Sequence, residues 1–149
     1  MYVLRVEALI RLGGKLVVAQ EPGSSWRLPG GVANLAAPLD AQAAEIAVRL
    51  AGLPIKIDSL AYVYTAAETG GHILGLVFRG QALARSPGRS WQNGDTTLRL
   101  LTYEELPELD HPLLDTLRSD WHVSFARPAA YIAAGASPHE TGQLSNGTR

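Results

Sequence analysis

The stretch from Leu28 to Leu53 restricts this chain more than any other part of it. It opens Leu28-Pro29-Gly30-Gly31 and closes Gly52-Leu53-Pro54. Pro29 holds Leu28 extended, because the residue before a proline avoids the helical region. Gly30-Gly31 then permits a backbone turn that residues with a Cβ would resist. Pro38 suits the first turn of a helix and Gly52 suits its left-handed stop, so the spacing predicts a helix over residues 38–51. At about 100° per residue, Leu39, Ala43, Ile46 and Leu50 fall in one stripe with Ala47 at its edge, the pattern of a core-facing surface. Glu45 and Arg49 lie four apart on the flank, where they are expected to form a solvated ion pair worth ~0.3 kcal/mol.

The surroundings of this helix alternate as strands do. Residues 2–12 and 15–20 are rich in Val, Leu and Ile and are joined by Gly13-Gly14, a tight-turn signal. Residues 55–65 and 73–79 read as two more strands around the polar turn Glu68-Thr69-Gly70-Gly71. A loop through Arg85–Arg89 and a turn at Asn93-Gly94 precede a strand over 97–102. Residues 112–121 read as a second helix. Strands interleaved with two separate helices predict an α/β (α+β) domain, a mixed sheet flanked by helices. Residues 2–134 are expected to form a single domain. The Gly/Ser/Thr-rich segment 135–149 is expected to be a flexible tail.

Composition narrows the function classes. With 13 basic and 14 acidic residues among 149, there is no basic excess to hold a phosphate backbone, which argues against a dedicated nucleic-acid surface. No Cys is present, so disulfides and thiolate chemistry are excluded together. The apolar runs are too short to span a membrane as a helix, and the first residues lack a signal-peptide layout. A cytoplasmic protein is expected. His72, His111, His122 and His139 show no metal-ligand spacing, so no zinc site is expected.

Strand, Gly-Gly turn, strand, Trp26-Arg27-Leu28-Pro29-Gly30-Gly31, helix and Gly52-Leu53 follow one another in an order that resembles the Nudix (nucleoside diphosphate linked to X) hydrolase family. The family's motif, the Nudix box, reads G-x5-E-x7-R-E-U-x-E-E-x-G-U, with U a bulky aliphatic residue. Laid from Gly31, it reaches Gly52 and Leu53 without insertion or deletion. Gly14-Lys15-Leu16-Val17-Val18 and Leu101-Thr102-Tyr103-Glu104-Glu105-Leu106 are similar to flanking segments of the family, so the resemblance covers residues 2–118. It implies an α/β/α sandwich. In the family the box carboxylates hold Mg²⁺ or Mn²⁺ against a diphosphate and help activate water. Here those positions carry Ala37, Glu45 (where the Arg belongs), Ile46, Arg49 and Leu50. Hard divalent cations need several oxygen ligands, and this degenerate box supplies none at the usual places.

Three function classes follow, the third being a purely structural or dimerising domain that uses the apolar helix face. The first is a non-catalytic binding or regulatory module, a pseudoenzyme with no cofactor, that takes a nucleotide-like small molecule. The second is a Mg²⁺- or Mn²⁺-dependent hydrolase of a nucleoside-diphosphate-linked compound, rebuilt from Glu68, Asp95, Glu104 or Glu105. The absence of every box carboxylate places the first ahead. Ligand-binding candidates are Trp26 and Tyr64 as aromatic platforms, with Tyr62 and Trp91 behind them. Arg27 beside Gly30 and Gly31 is the candidate phosphate contact. Apolar Ile46 and Leu50 are expected to be shielded from water, by the core, by the tail or by a second subunit in a homodimer.

Overall fold

The computed structural model describes residues 2–123, 130–133 and 142–143. Two β-strands open the chain, β1 (Tyr2–Leu12) and β2 (Lys15–Gln20), followed by a short β3 (Gly30–Val32) and helix α1 (Leu39–Ala51). Next come β4 (Ile55–Glu68), β5 (Gly71–Ala82), β6 (Ser90–Asn93) and β7 (Thr96–Leu101). A 3-10 helix (Tyr103–Glu108), helix α2 (Leu114–Ser119), β8 (Ala130–Ala133) and β9 (Gly142–Gln143) complete the described elements. Most of the segment expected as a tail lies outside the described residues; Gly142–Gln143 pairs with β8. No helix among the described residues is long and apolar enough to cross a membrane.

The strands form one sheet in the order β6-β7-β2-β1-β5-β4-β8-β9, with β3 beside β1. It is mixed: β1 and β5 run parallel, as do β4 and β8, while the other pairs are antiparallel. Side chains alternate between the faces of a strand, and β1 shows it directly. Val6, Ala8 and Ile10 belong to the clusters that also contain residues of α1, whereas Leu9 joins Leu106, Leu117 and Trp121 beneath the 3-10 helix and α2. The expected sandwich is therefore present, with α1 on one face and α2 on the other.

The predicted helix over 38–51 is found at Leu39–Ala51, and Gly52 stops it at φ 70°. Its C-terminal carbonyls, which no helix can satisfy internally, are taken from across the chain. Trp91 Nε1 donates to Ala51 O at 2.8 Å, and Asn93 Nδ2 donates to Arg49 O at 2.8 Å. These bonds anchor the last turn, and with it Arg49 and Leu50, to β6. That strand falls where the sequence reading had only loop and turn.

Along β1, one edge is shared between two partners. Near its end β1 pairs with β2 (Arg11↔Leu16), but from Arg5 to Glu7 it pairs with β3 instead. Leu28 to Val32 thus wedge into the sheet, with Ala8 N–H donating to Pro29 O at 2.8 Å and Ala19 bridged to Arg27. The cleft described next opens at this split.

Candidate functional site

Two adjoining hollows share Arg5 and Arg27. The first, about 330 Å³, lies against the last turn of α1 and is lined by Glu21, Gly30, Gly31, Arg49 and Leu50 as well. Its volume is in the range of small-molecule sites. The second, about 150 Å³, is floored by Glu7, Tyr64 and His111, with Glu68 and Asp110 at its walls.

Glu7 is the unusual residue. It sits in β1 between fully buried Val6 and Ala8 and is itself only 5% exposed. A buried carboxylate must be hydrogen-bonded or paired. The Tyr64 hydroxyl donates to Glu7 Oε1 at 2.8 Å, and His111 Nε2 lies 2.8 Å from the same oxygen. Leu113 N–H donates to His111 Nδ1 at 3.0 Å. With Nδ1 accepting from that N–H, Nε2 is the ring nitrogen that donates to the carboxylate. Arg5 Nε stands 3.7 Å from Oε2.

Burial opposes ionisation of Glu7, but the hydrogen bond and charge interaction with His111, the hydrogen bond from Tyr64 and the nearby Arg5 outweigh it and hold the carboxyl below its ordinary 4.5. Burial and the Glu7 charge push the Tyr64 hydroxyl in the other direction, far above its usual value, so it acts as a donor. A carboxyl depressed in the folded state contributes stability above its unfolded pKa and loses it as pH falls through the folded value. Acidification from about pH 4.5 downward should therefore erode stability in wild type. Urea melts across this window should show a smaller loss in Glu7→Gln, and an equal loss would show that Glu7 does not titrate as described.

Two glycines make this arrangement possible. A Cβ on Gly30 would stand 2.6 Å from Val6 O and 2.7 Å from Glu7 Cγ, so only glycine lets β3 lie against β1 at that point. A Cβ on Gly75 would stand 2.2 Å from Tyr64 Cε1. Gly75, paired with both Arg5 of β1 and Tyr64 of β4, leaves bare the strip of sheet over which the tyrosine ring lies to reach Glu7.

The box positions do not fit a divalent cation. Ile46 is buried with Val6, Ala43 and Phe78 and approaches the underside of Gly31; Leu50 is half-buried at the cleft wall. Arg49 brings a positive charge to the cleft, while Ala37 and Glu45 are exposed and line neither hollow. The expected Glu45–Arg49 ion pair is not formed, because Arg49 lies at the cleft. The expected shielding holds for Ile46 and only in part for Leu50. The core accounts for it.

The acidic candidates outside the box do not converge. Glu68 lines the second hollow, and Asp95 sits exposed in the β6–β7 turn. Glu104 is exposed on the 3-10 helix. Glu105 accepts from the Thr102 backbone N–H at 3.0 Å and pairs with Arg99 at 2.7 Å and with Arg89, so it is committed to holding that helix on β7. Among the described residues no three His, Asp or Glu side chains gather as a metal site. Of the ligand candidates, Arg27, Gly30, Gly31 and Tyr64 line the hollows, Tyr64 through its hydroxyl. Trp26 packs against the core, and Tyr62 is buried with its hydroxyl donating to Asp120 at 2.7 Å. Sequence reasoning missed Glu7, Arg5 and His111. The available signal was a charge inside an apolar strand, since acidic residues are rarely buried unless paired.

No protein-family model matches the sequence, and no curated protein matches it. Solved structures do match the fold. A UDP-X diphosphatase superimposes with a TM-score of 0.71 at 17% identity, covering 89% of this chain and 68% of that one. A NUDIX hydrolase from Nitrosomonas europaea gives 0.69 at 16% identity, covering 89% and 80%. An ADP-ribose pyrophosphatase from Streptococcus suis gives 0.68 at 15% identity, covering 89% and 99%. The chain thus has the fold of the Nudix hydrolases.

Proposed function

We propose that this chain is a non-catalytic binding or regulatory domain on the Nudix fold, taking a nucleotide-like small molecule in the cleft at the β1 split. One observation carries the reading: the last turn of α1 presents Arg49 and Leu50 to a cleft of ligand size, and Ile46 is spent in the core. Fold alone does not assign activity. The structural neighbours titled UDP-X diphosphatase and ADP-ribose pyrophosphatase point to the ligand class, molecules with a diphosphate linked to a sugar or nucleoside.

The test is a hydrolysis panel of nucleoside triphosphates, dinucleotides and nucleotide sugars with Mg²⁺ and with Mn²⁺. The expected result is no metal-dependent turnover on any of them. Turnover at an ordinary enzymatic rate, about 1 s⁻¹ or more, would replace this reading with the rebuilt hydrolase.

A further inference from the structure

The two hollows differ in charge. At α1 three guanidinium groups (Arg5, Arg27, Arg49) face one carboxylate, Glu21. In the adjoining hollow, Arg5 and Arg27 face three carboxylates, Glu7, Glu68 and Asp110. Among the described residues, neither Arg27 nor Arg49 has a carboxylate within ion-pair distance. Guanidinium forks match phosphate oxygens in shape and charge. At the other end, Asp110 Oδ2 is occupied by the Ser25 hydroxyl at 2.7 Å. Glu7 is different: Oε1 takes both of its hydrogen bonds, whereas Oε2 takes none among the described residues, Arg5 Nε at 3.7 Å being too far for one. The carboxylate as a whole is buried and held in place by its two donors, and Oε2 is the oxygen it turns to the open hollow, where no donor of the described residues meets it.

We propose that the cleft binds, without any divalent cation, a ligand with a phosphate-type anion at one end and a hydroxyl or amino donor at the other. Arg27 and Arg49 hold the anion, and Glu7 Oε2 accepts from the donor. The inference rests on the binding-domain reading above and adds to it how the ligand is held. Arginine charge stands where a metal would neutralise the phosphates, and Glu7 sets specificity. Gly30 and Gly31 line the anion end, and the missing Cβ of Gly30 leaves the room against β1 that the Glu7 side chain occupies.

Calorimetry in EDTA with two probes tests this. Inorganic pyrophosphate offers the anion alone; ADP-ribose adds hydroxyl and amino donors. Both should bind, ADP-ribose more tightly. Arg27→Ala with Arg49→Ala should weaken both by about tenfold or more. Glu7→Gln should weaken ADP-ribose by about tenfold more than pyrophosphate, because the amide keeps an oxygen for Tyr64 and His111 but turns a donor toward the ligand. Binding only after Mg²⁺ is added would overturn the inference and leave the binding-domain reading standing. An equal effect of Glu7→Gln on both probes, or none on ADP-ribose, would also overturn it. Failure of both probes, with and without Mg²⁺, would end the inference and its ligand class together. Hydrolysis of ADP-ribose would overturn the binding-domain reading itself.

Discussion

Gly75→Ala should destabilise the domain by about 3 kcal/mol or more, a fall of roughly 10 °C in Tm. The added methyl would stand 2.2 Å from Tyr64 Cε1 and 2.3 Å from Cζ, closer than any real contact. Tyr64 is 2% exposed, so its ring has nowhere to retreat within the core. Two costs combine: overpacking of a buried strand pair, and loss of the hydroxyl donor on which the Glu7 carboxylate depends. Glycine at this position thus links sheet packing to the cleft. A double-mutant cycle separates this from a generic intolerance of side chains in β5. If the ring is the obstacle, Gly75→Ala should cost markedly less when Tyr64 is already alanine. Strict additivity would place the strain elsewhere.

Ile46→Glu should be nearly as damaging, at about 3 kcal/mol or more. The side chain is 8% exposed and belongs to the cluster of Val6, Ala43 and Phe78, which offers a carboxylate neither donor nor cation. Leu50→Glu should cost far less, since Leu50 is half-buried and lines the open hollow beside Arg49. Separate thermal melts of the two variants check this. Equal losses, or an Ile46→Glu protein as stable as wild type, would mean that the helix presents a different face to the sheet. The contrast has a structural side: Ile46 packs in the core, while Leu50 borders the cleft.

What the sequence disclosed follows the range of the interactions concerned. Helix α1 was legible because its determinants are local: a proline before it, a left-handed glycine after it, and an apolar stripe between. The strand pair β1–β2 was legible through Gly13-Gly14 and alternation. β3 was not, because the two glycines of Gly30-Gly31-Val32 disfavour a strand and the segment is held extended by pairing with Arg5–Glu7 of β1. β6 was missed for a similar reason, its polar Ser90-Trp91-Gln92-Asn93 being extended by pairing with β7. The second helix was placed correctly but overextended, since Pro112 and Leu113 precede α2 in a turn.

The cleft itself depends on still longer connections. The sequence shows directly that Ala37, Ile46, Arg49 and Leu50 carry no carboxylate, and the place of Arg27, Gly30 and Gly31 at the turn singles them out. Glu7 meets Tyr64 across 57 residues and His111 across 104, and no spacing rule anticipates either. Arg49 was assigned to a surface pair because helix periodicity gives a flank but not what that flank faces. Only the split of the β1 edge brings Arg5, Arg27 and Arg49 around one hollow.

The central claim is that this cleft has exchanged divalent-cation chemistry for arginine charge, and a Mn²⁺ titration of the wild-type protein tests it most directly. The electron paramagnetic resonance signal of free Mn²⁺ should be the same with protein as in buffer alone, and should stay so when ADP-ribose is present. A saturable one-to-one loss of that signal, removed by Glu7→Gln or Glu68→Gln, would contradict it.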